Sequence, residues 1–140
     1  MYLKATGAQN NFMMRSMGAV VAGYIVMVCL VVGFFRLMGL IQPTYFASDN
    51  APSMPILWQF GILIFDVAAA AVGGATAAWF APYTPFRHSY WLSGIILLLG
   101  LISIPAAYLR GDSLWLGVST GFLGSFACLA GGWAMDNKLR

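Results

Sequence analysis

The sequence contains no glutamate, only four aspartates and a single histidine among its 140 residues. Acid-base catalysis and metal binding both depend on clusters of such side chains, so most hydrolytic and metal-dependent sites lack the residues they need. Cys29 and Cys128 lie inside apolar runs with no C-x-x-C spacing, which favours two small buried side chains over a redox pair. These scarcities argue against an enzyme, and we expect neither a cofactor nor a metal.

Most residues of the chain are apolar. Hydrophobic residues make up 61% of the chain and charged residues 8%, and the mean hydropathy is +0.82, far from the composition of a soluble domain. Each of four apolar runs reaches the roughly 20 residues that cross a bilayer. These runs are 17–41, 56–81, 90–109 and 114–135, with polar tails at 1–16 and 136–140. The sequence therefore predicts an all-α integral membrane bundle of four transmembrane helices, whose first span is too long for a signal peptide and is retained.

The basic residues predict how these spans are oriented. Five of the six that flank the spans fall on one side of the predicted membrane, and cytoplasmic loops carry the excess of Lys and Arg. The five are Lys4, Arg15, Arg87, Lys138 and Arg140, against Arg110 alone. All five tryptophans lie at predicted span ends, where indole rings favour the headgroup region. We expect both termini in the cytoplasm of a bacterium, and the net charge of +3 reflects orientation rather than nucleic-acid binding.

The connections between spans are predicted to be short, apart from one. Segments 82–88 and 110–113 leave room for little more than turns, so the helices that they join should be antiparallel neighbours. Segment 42–55 contains three prolines and reads as an irregular outer loop that offers the best contact surface outside the membrane. Residues 1–16 are polar enough for a disordered tail, which we favour over a short surface helix.

Small residues recur at helical spacing in the second and fourth spans. In lipid, close backbone approach through such residues is the main packing device between helices. One stripe comprises Gln59, Leu63, Asp66, Ala70, Gly73 and Ala77, and the other Gly117, Gly121, Gly124, Cys128 and Gly131. We expect Gly73, Gly74, Gly117, Gly121, Gly124, Gly131 and Gly132 to pack helices together. The Gly-Gly pairs lie 58 residues apart, which fits either a duplicated hairpin or the general demand for glycine in packed membrane helices.

A resemblance follows from the ends of these two spans. The second span ends in Gly-Gly-Ala-Thr-Ala-Ala-Trp-Phe-Ala-Pro, and the fourth ends in Ala-Gly-Gly-Trp-Ala. This pattern resembles a group of uncharacterised small bacterial four-helix inner-membrane proteins with Gly-Gly-x-x-Ala span ends. The resemblance covers the second and fourth spans and implies the four-span topology, with no activity, cofactor or functional residue to carry over.

Two ionisable residues fall within the predicted spans. Arg36 and Asp66 each cost about 2.5 to 3.5 kcal/mol at the centre of a membrane helix, so each requires an explanation. Their predicted depths differ by only about 7 or 8 Å at 1.5 Å per residue, which allows an interhelical ion pair. The alternatives are an Arg36 that extends to the headgroups beside a protonated Asp66, and a transport or proton-relay site.

Three further residues are weaker candidates. His88 lies at the inner edge of the third span, where it is a candidate axial ligand of a haem or a chlorophyll-type pigment or, more simply, an interfacial surface group. Pro105 should bend the third span, and Gln59 is placed to hydrogen-bond across helices.

Two functions remain open from the sequence. The first is a non-enzymatic accessory or structural subunit that packs against other membrane proteins, because the chain has small-residue and aromatic surfaces but little mass outside the lipid. The second is a small transporter or channel, as a single chain or as a homo-oligomer, that uses Arg36 and Asp66. A membrane-embedded enzyme ranks last, because no nucleophile stands beside a base.

Overall fold

The chain folds into helices joined by short connections. A computed structural model describes residues 2–46, 54–81, 85–110 and 114–139, and within these ranges there is no strand. The helices are α1 (Tyr2–Ile41), α2 (Pro43–Phe46), α3 (Ile56–Phe80), α4 (Pro85–Arg110) and α5 (Leu114–Leu139). All but α2 contain a stretch that is long and apolar enough to cross a membrane, so the predicted all-α bundle with four candidate spans is confirmed.

Helix α1 differs from the prediction at its start. It runs for 40 residues without a break, so the polar segment favoured as a disordered tail is helical from Tyr2 onward. The segment contains no proline, and its alanine, methionine, lysine and glutamine residues are good helix formers, so nothing stops the helix of the first span from extending backwards. The apolar part of α1 begins at Met14.

The segment after α1 is less irregular than predicted. The N–H of Gln42 donates to the carbonyl of Met38 at 2.7 Å, and the short helix α2 follows at once. Most of the loop that we expected to offer an outer contact surface, residues 47–53, lies outside the described residues. The same holds for residues 82–84 and 111–113 in the two short connections.

Two span boundaries move outward from their predicted positions. Helix α4 begins at Pro85, five residues before the predicted start, because proline suits the first position of a helix, where its missing N–H would have had no partner. Helix α5 continues to Leu139 and carries Lys138 in its last turn, where a positive charge interacts favourably with the helix dipole.

Helix α3 lies at the centre of the bundle. Its most extensive contact is with α5, it also packs against α1, and its contact with α4 is smaller. Ala70 faces Gly124 and Gly74 faces Cys128, so α3 and α5 run in the same direction along their interface. Helix α4 packs mainly on α5, whereas α1 contacts only α2, α3 and α4 among the described helices. This arrangement leaves much of α1 on the outside of the bundle.

One half of the bundle is packed backbone against backbone. A Cβ added to Gly74 would overlap the carbonyl of Cys128, and one added to Gly131 would overlap the carbonyl of Ala71. Ser89 on α4 fills the space above Gly132 and donates a hydrogen bond to the carbonyl of Gly74 at 2.9 Å. We call this region the close-packed half; its fully buried core includes Ala77, Ala78, Ser89, Leu92 and Cys128.

Large rings lie between the helices at the opposite end. The rings of Phe60 on α3 and Trp115 on α5 lie 5.4 Å apart between their centroids, and those of Phe34 and Phe65 stack at 4.1 Å between α1 and α3. Gly117 lies in this region and has no atom of another helix within 4 Å of an added Cβ, in contrast to its predicted packing role. Trp115 lies two residues before Gly117, and its ring contacts Phe60 of α3.

Candidate functional site: a carboxylate in a cavity between the four long helices

The Gly-Gly pairs lie where the sequence pattern indicated. Gly73 approaches α1 at Gly23 and Met27, while Gly74 and Gly131 close the interface between α3 and α5. Nearer the start of α5, a Cβ added to Gly121 would lie 3.3 Å from the Cα of Gly100, and one added to Gly124 would lie 3.6 Å from the Cβ of Ala70. Except for Gly117, the glycines of the two predicted stripes therefore contact a neighbouring helix.

Asp66 faces the interior of the bundle from the middle of α3. Its Oδ1 atom is buried and has no hydrogen-bond partner among the described residues. A buried polar atom without a partner costs about 1 to 3 kcal/mol, and the cost is greater for a charged group. A proton, a water molecule or a cation bound here would serve as the partner of this oxygen atom.

A cavity of about 200 Å³, which is open to the surface of the bundle rather than enclosed, adjoins this carboxylate. All four long helices line it: Met27 and Val31 from α1; Asp66 and Ala70 from α3; Ile96, Leu99, Gly100 and Ser103 from α4; Thr120, Gly121 and Gly124 from α5. The volume exceeds the roughly 30 Å³ that one water molecule occupies in the liquid. We call the region around it the cavity half of the bundle.

The other polar side chains of the cavity are two hydroxyl groups. Ser103 donates to the carbonyl of Gly100 at 2.7 Å, and Thr120 donates to the carbonyl of Gly117 at 3.0 Å. Each hydroxyl uses its only proton within its own helix and retains lone pairs that can accept. The cavity thus combines a carboxylate with two acceptor oxygens, which suits a proton donor or a small cation better than an anion.

Arg36 is not part of this site. It lies on the exposed surface of α1, and within the described ranges no ion pair joins it to Asp66. Ala22, Val26, Cys29 and Gly33 share a helix face with Arg36, at steps of three and four residues. Cys29 and Gly33 are exposed, and a Cβ added to Gly33 would meet no atom within 4 Å.

Helix α1 contacts its neighbours through a different face. Ala19 is buried, and a Cβ added to Gly23 would lie 2.6 Å from the carbonyl oxygen of Gly73 and 2.8 Å from the Cβ of Ala77. The stacked ring of Phe34 continues this contact towards the other end of the helix. These residues turn the stripe with Arg36 outward, so the two intramembrane charges lie in different environments.

Gln59 bonds locally rather than across helices. Its Nε2 atom donates to the carbonyl of Met54 at 2.8 Å, just before α3 begins. Its Oε1 atom is buried and, among the described residues, has no partner. Gln59 stands seven residues before Asp66, two turns away on the same helix face. The inward face of α3 therefore presents two buried acceptor oxygens, one at Gln59 and one at Asp66, that have no donor among the described residues.

His88 is buried near the start of α4 and lines a groove between α1 and α4. The described part of the chain contains no group of three His, Cys, Asp or Glu side chains that could hold a metal ion. The axial-ligand role of His88 therefore stays a prediction. Pro105 lies within α4, and Ser103 returns a hydrogen bond to the carbonyl of Gly100 in the preceding turn.

Sequence reasoning identified Asp66 but missed Ser103 and Thr120 as its neighbours in the cavity. Hydroxyl residues within apolar spans commonly bond to polar groups, which is the signal that would have selected them. The sequence does not reveal which side of α4 faces α3, because α4 is apolar around most of its circumference. No family model, curated protein or solved structure matches the chain.

Proposed function

We propose that this chain is a non-enzymatic membrane subunit that packs beside other proteins in a bacterial inner membrane, with both termini in the cytoplasm. The distribution of Lys and Arg supports this orientation. One observation carries the proposal: Cys29, Gly33 and Arg36 are exposed along one face of α1. We call these three residues the α1 stripe.

The α1 stripe has the features of a helix-packing surface with a charge in it. Gly33 allows close approach of another backbone, and no described helix of this chain occupies that space. Arg36 places a guanidinium five residues before the end of α1, where a carboxylate on a partner helix would neutralise it. The partner proposed is therefore a transmembrane helix of another subunit, with an acidic residue near the same membrane boundary.

The test compares two glycines that face open space. Gly33→Leu fills the α1 stripe, and Gly94→Leu places the same bulk on α4, where a Cβ would also meet nothing within 4 Å. Each variant is expressed in its native membrane and extracted in a mild detergent, and the masses of the particle and its components are determined. We expect Gly33→Leu and Arg36→Gln to release the chain from its complex while Gly94→Leu leaves the complex intact.

Other outcomes of this experiment contradict the accessory role. Equal retention in all three variants would mean that α1 does not dock and that Arg36 extends to the lipid headgroups. A lone monomer or a homo-oligomer of the unaltered chain would exclude a larger complex.

A second candidate function, a small transporter or channel, is favoured by the cavity around Asp66. The unpartnered Oδ1 atom and the two acceptor hydroxyl groups suit a site that takes up a proton or a small cation from one side of the membrane. Arg36 has no part in this version, because it lies on the exposed surface of α1.

Transport requires that water reach the cavity. In a Cys29→Ser background, Thr120→Cys places a thiol at the cavity wall, and Gly94→Cys serves as a lipid-facing control. We expect a membrane-impermeant maleimide to label Thr120→Cys from one side only and to leave Gly94→Cys unlabelled. Asp66→Asn should then abolish cation or proton flux in proteoliposomes without lowering the folded yield. Protection of Thr120→Cys from both sides would count against a transport path.

A further inference from the structure

The start of α4 and the first apolar turns of α1 form an open groove. The groove has a volume of about 540 Å³ and includes Arg87 at one end and Ile95 further along α4. On the α1 side it is lined by Met17, Val20 and Val21. Ile95 lies eight positions after Arg87, so the groove extends about 12 Å along the helix axis. It is thus a charged mouth followed by an apolar trough.

The position of the groove matches that of a membrane boundary. Trp91 lines it with 68% of its surface exposed, and an exposed indole favours the headgroup region. Arg87 lies one helical turn before Trp91 and is exposed. Val20, Val21 and Ile95 extend from there into the apolar part of the spans. A molecule that fits must carry a negative charge at one end and a hydrocarbon chain at the other.

We propose that this groove binds one phospholipid with an anionic headgroup, with its phosphate on Arg87 and an acyl chain along Val20, Val21 and Ile95. Basic pockets between membrane helices are suited to such headgroups, and a guanidinium makes bidentate hydrogen bonds to phosphate. Charge complementarity at Arg87 selects an anionic lipid over a zwitterionic one, and the trough adds contact area that is independent of the charge.

Native mass spectrometry of the full chain tests the proposal. The protein is titrated with phosphatidylglycerol or with phosphatidylcholine of identical acyl chains. We expect one phosphatidylglycerol per chain to be retained in preference to phosphatidylcholine. Arg87→Gln should lower that preference about fivefold, the effect of removing one basic residue near a membrane surface. Lys138→Gln, which removes the same charge from the exposed end of α5, should leave it unchanged.

A second variant tests the trough. Val21 is exposed, so Val21→Phe fills the apolar part of the groove while Arg87 stays in place. We expect this variant to lose retention of both lipids. Monodisperse elution and an unchanged unfolding midpoint establish that each variant is folded.

Three results would overturn the proposal. Equal losses in Arg87→Gln and Lys138→Gln would indicate diffuse surface charge rather than a site. No loss in either variant would exclude Arg87 as the phosphate ligand. Retention that depends on Arg87 but not on Val21→Phe would mean that the headgroup binds without an acyl chain in the groove.

Discussion

The close-packed half and the cavity half use the same two helices in opposite ways. Around Gly74 and Gly131, α3 and α5 touch through their backbones, and no space remains. Around Asp66 and Thr120, a space of about 200 Å³ remains among the four long helices. In lipid, hydrophobic burial does not drive helices together, so side-chain size decides how closely they approach. Glycine produces backbone contact at one end of the interface, whereas the rings of Phe60 and Trp115 meet at the other.

The two halves also differ in how their polar groups are hydrogen-bonded. The close-packed half contains hydroxyl and sulfhydryl groups whose hydrogen bonds stay within the bundle: Ser89 to the Gly74 carbonyl, Cys128 to the Ser89 carbonyl and Ser93 to Ser125. The cavity half contains Asp66, whose Oδ1 atom is unpartnered among the described residues. We expect substitutions in the first half to alter the free energy of unfolding, and substitutions in the second to alter ligand binding or transport.

The largest effect is expected at Gly74. Leucine at this position would drive a side chain into the backbone of α5 at Cys128, and neither helix can shift without opening the interface. Overpacking a core commonly costs about 1 to 3 kcal/mol, and we expect Gly74→Leu to exceed that range because the obstacle is backbone. Unfolding by SDS titration in mixed micelles measures the loss, with Gly94→Leu as the control. A Gly74→Leu variant as stable as the control would disprove the close approach of α3 and α5.

A smaller effect is expected at Ser93. Its hydroxyl lies 2.6 Å from the hydroxyl of Ser125 and donates to the Ser125 carbonyl at 3.0 Å, which ties α4 to α5. Interhelical hydrogen bonds in membranes average about 0.6 kcal/mol and reach about 1.7 kcal/mol. We expect Ser93→Ala to lower the free energy of unfolding within that range. A double-mutant cycle with Ser125→Ala should give a coupling energy of similar size, whereas additive losses would place the two hydroxyl groups apart.

Gly117 is expected to tolerate a side chain that Gly121 does not. A Cβ at Gly117 meets nothing within 4 Å, so Gly117→Ala should be neutral or raise the free energy of unfolding by up to about 1 kcal/mol, because alanine favours a helix over glycine. A Cβ at Gly121 would lie 3.3 Å from the Cα of Gly100, so Gly121→Ala should be less stable than Gly117→Ala. Equal stabilities for these two alanine variants, measured in the same titration, would contradict the close approach of α4 and α5 at Gly100 and Gly121.

Much of this arrangement was predictable from the sequence. Hydropathy located the four long helices, and the spacing of small residues located the glycine contacts of α3 with α5. The rotation of α1 was not predictable, because both of its faces contain glycine: Gly23 packs against α3, whereas Gly33 faces outward. The stacking of Phe34 on Phe65 helps to decide between the faces, and that contact depends on three-dimensional fit rather than on periodicity. The residues that surround Asp66 depend on this rotation of α1 and were therefore not predictable from the sequence.

The smallest effect is expected for the coupling between Asp66 and Arg36. Removing one member of a buried ion pair costs about 3 to 5 kcal/mol, because it leaves the other charge buried alone. Here Arg36 is exposed on α1, and Asp66 faces a cavity on the other side of that helix. We therefore expect Asp66→Asn and Arg36→Gln each to fall well short of that loss, and their effects on the free energy of unfolding to add within about 0.5 kcal/mol. A double-mutant cycle in the same SDS titration measures the coupling. A coupling of several kcal/mol would mean that α1 turns its stripe inward in the membrane, and both the cavity and the exposed docking face would then have to be abandoned.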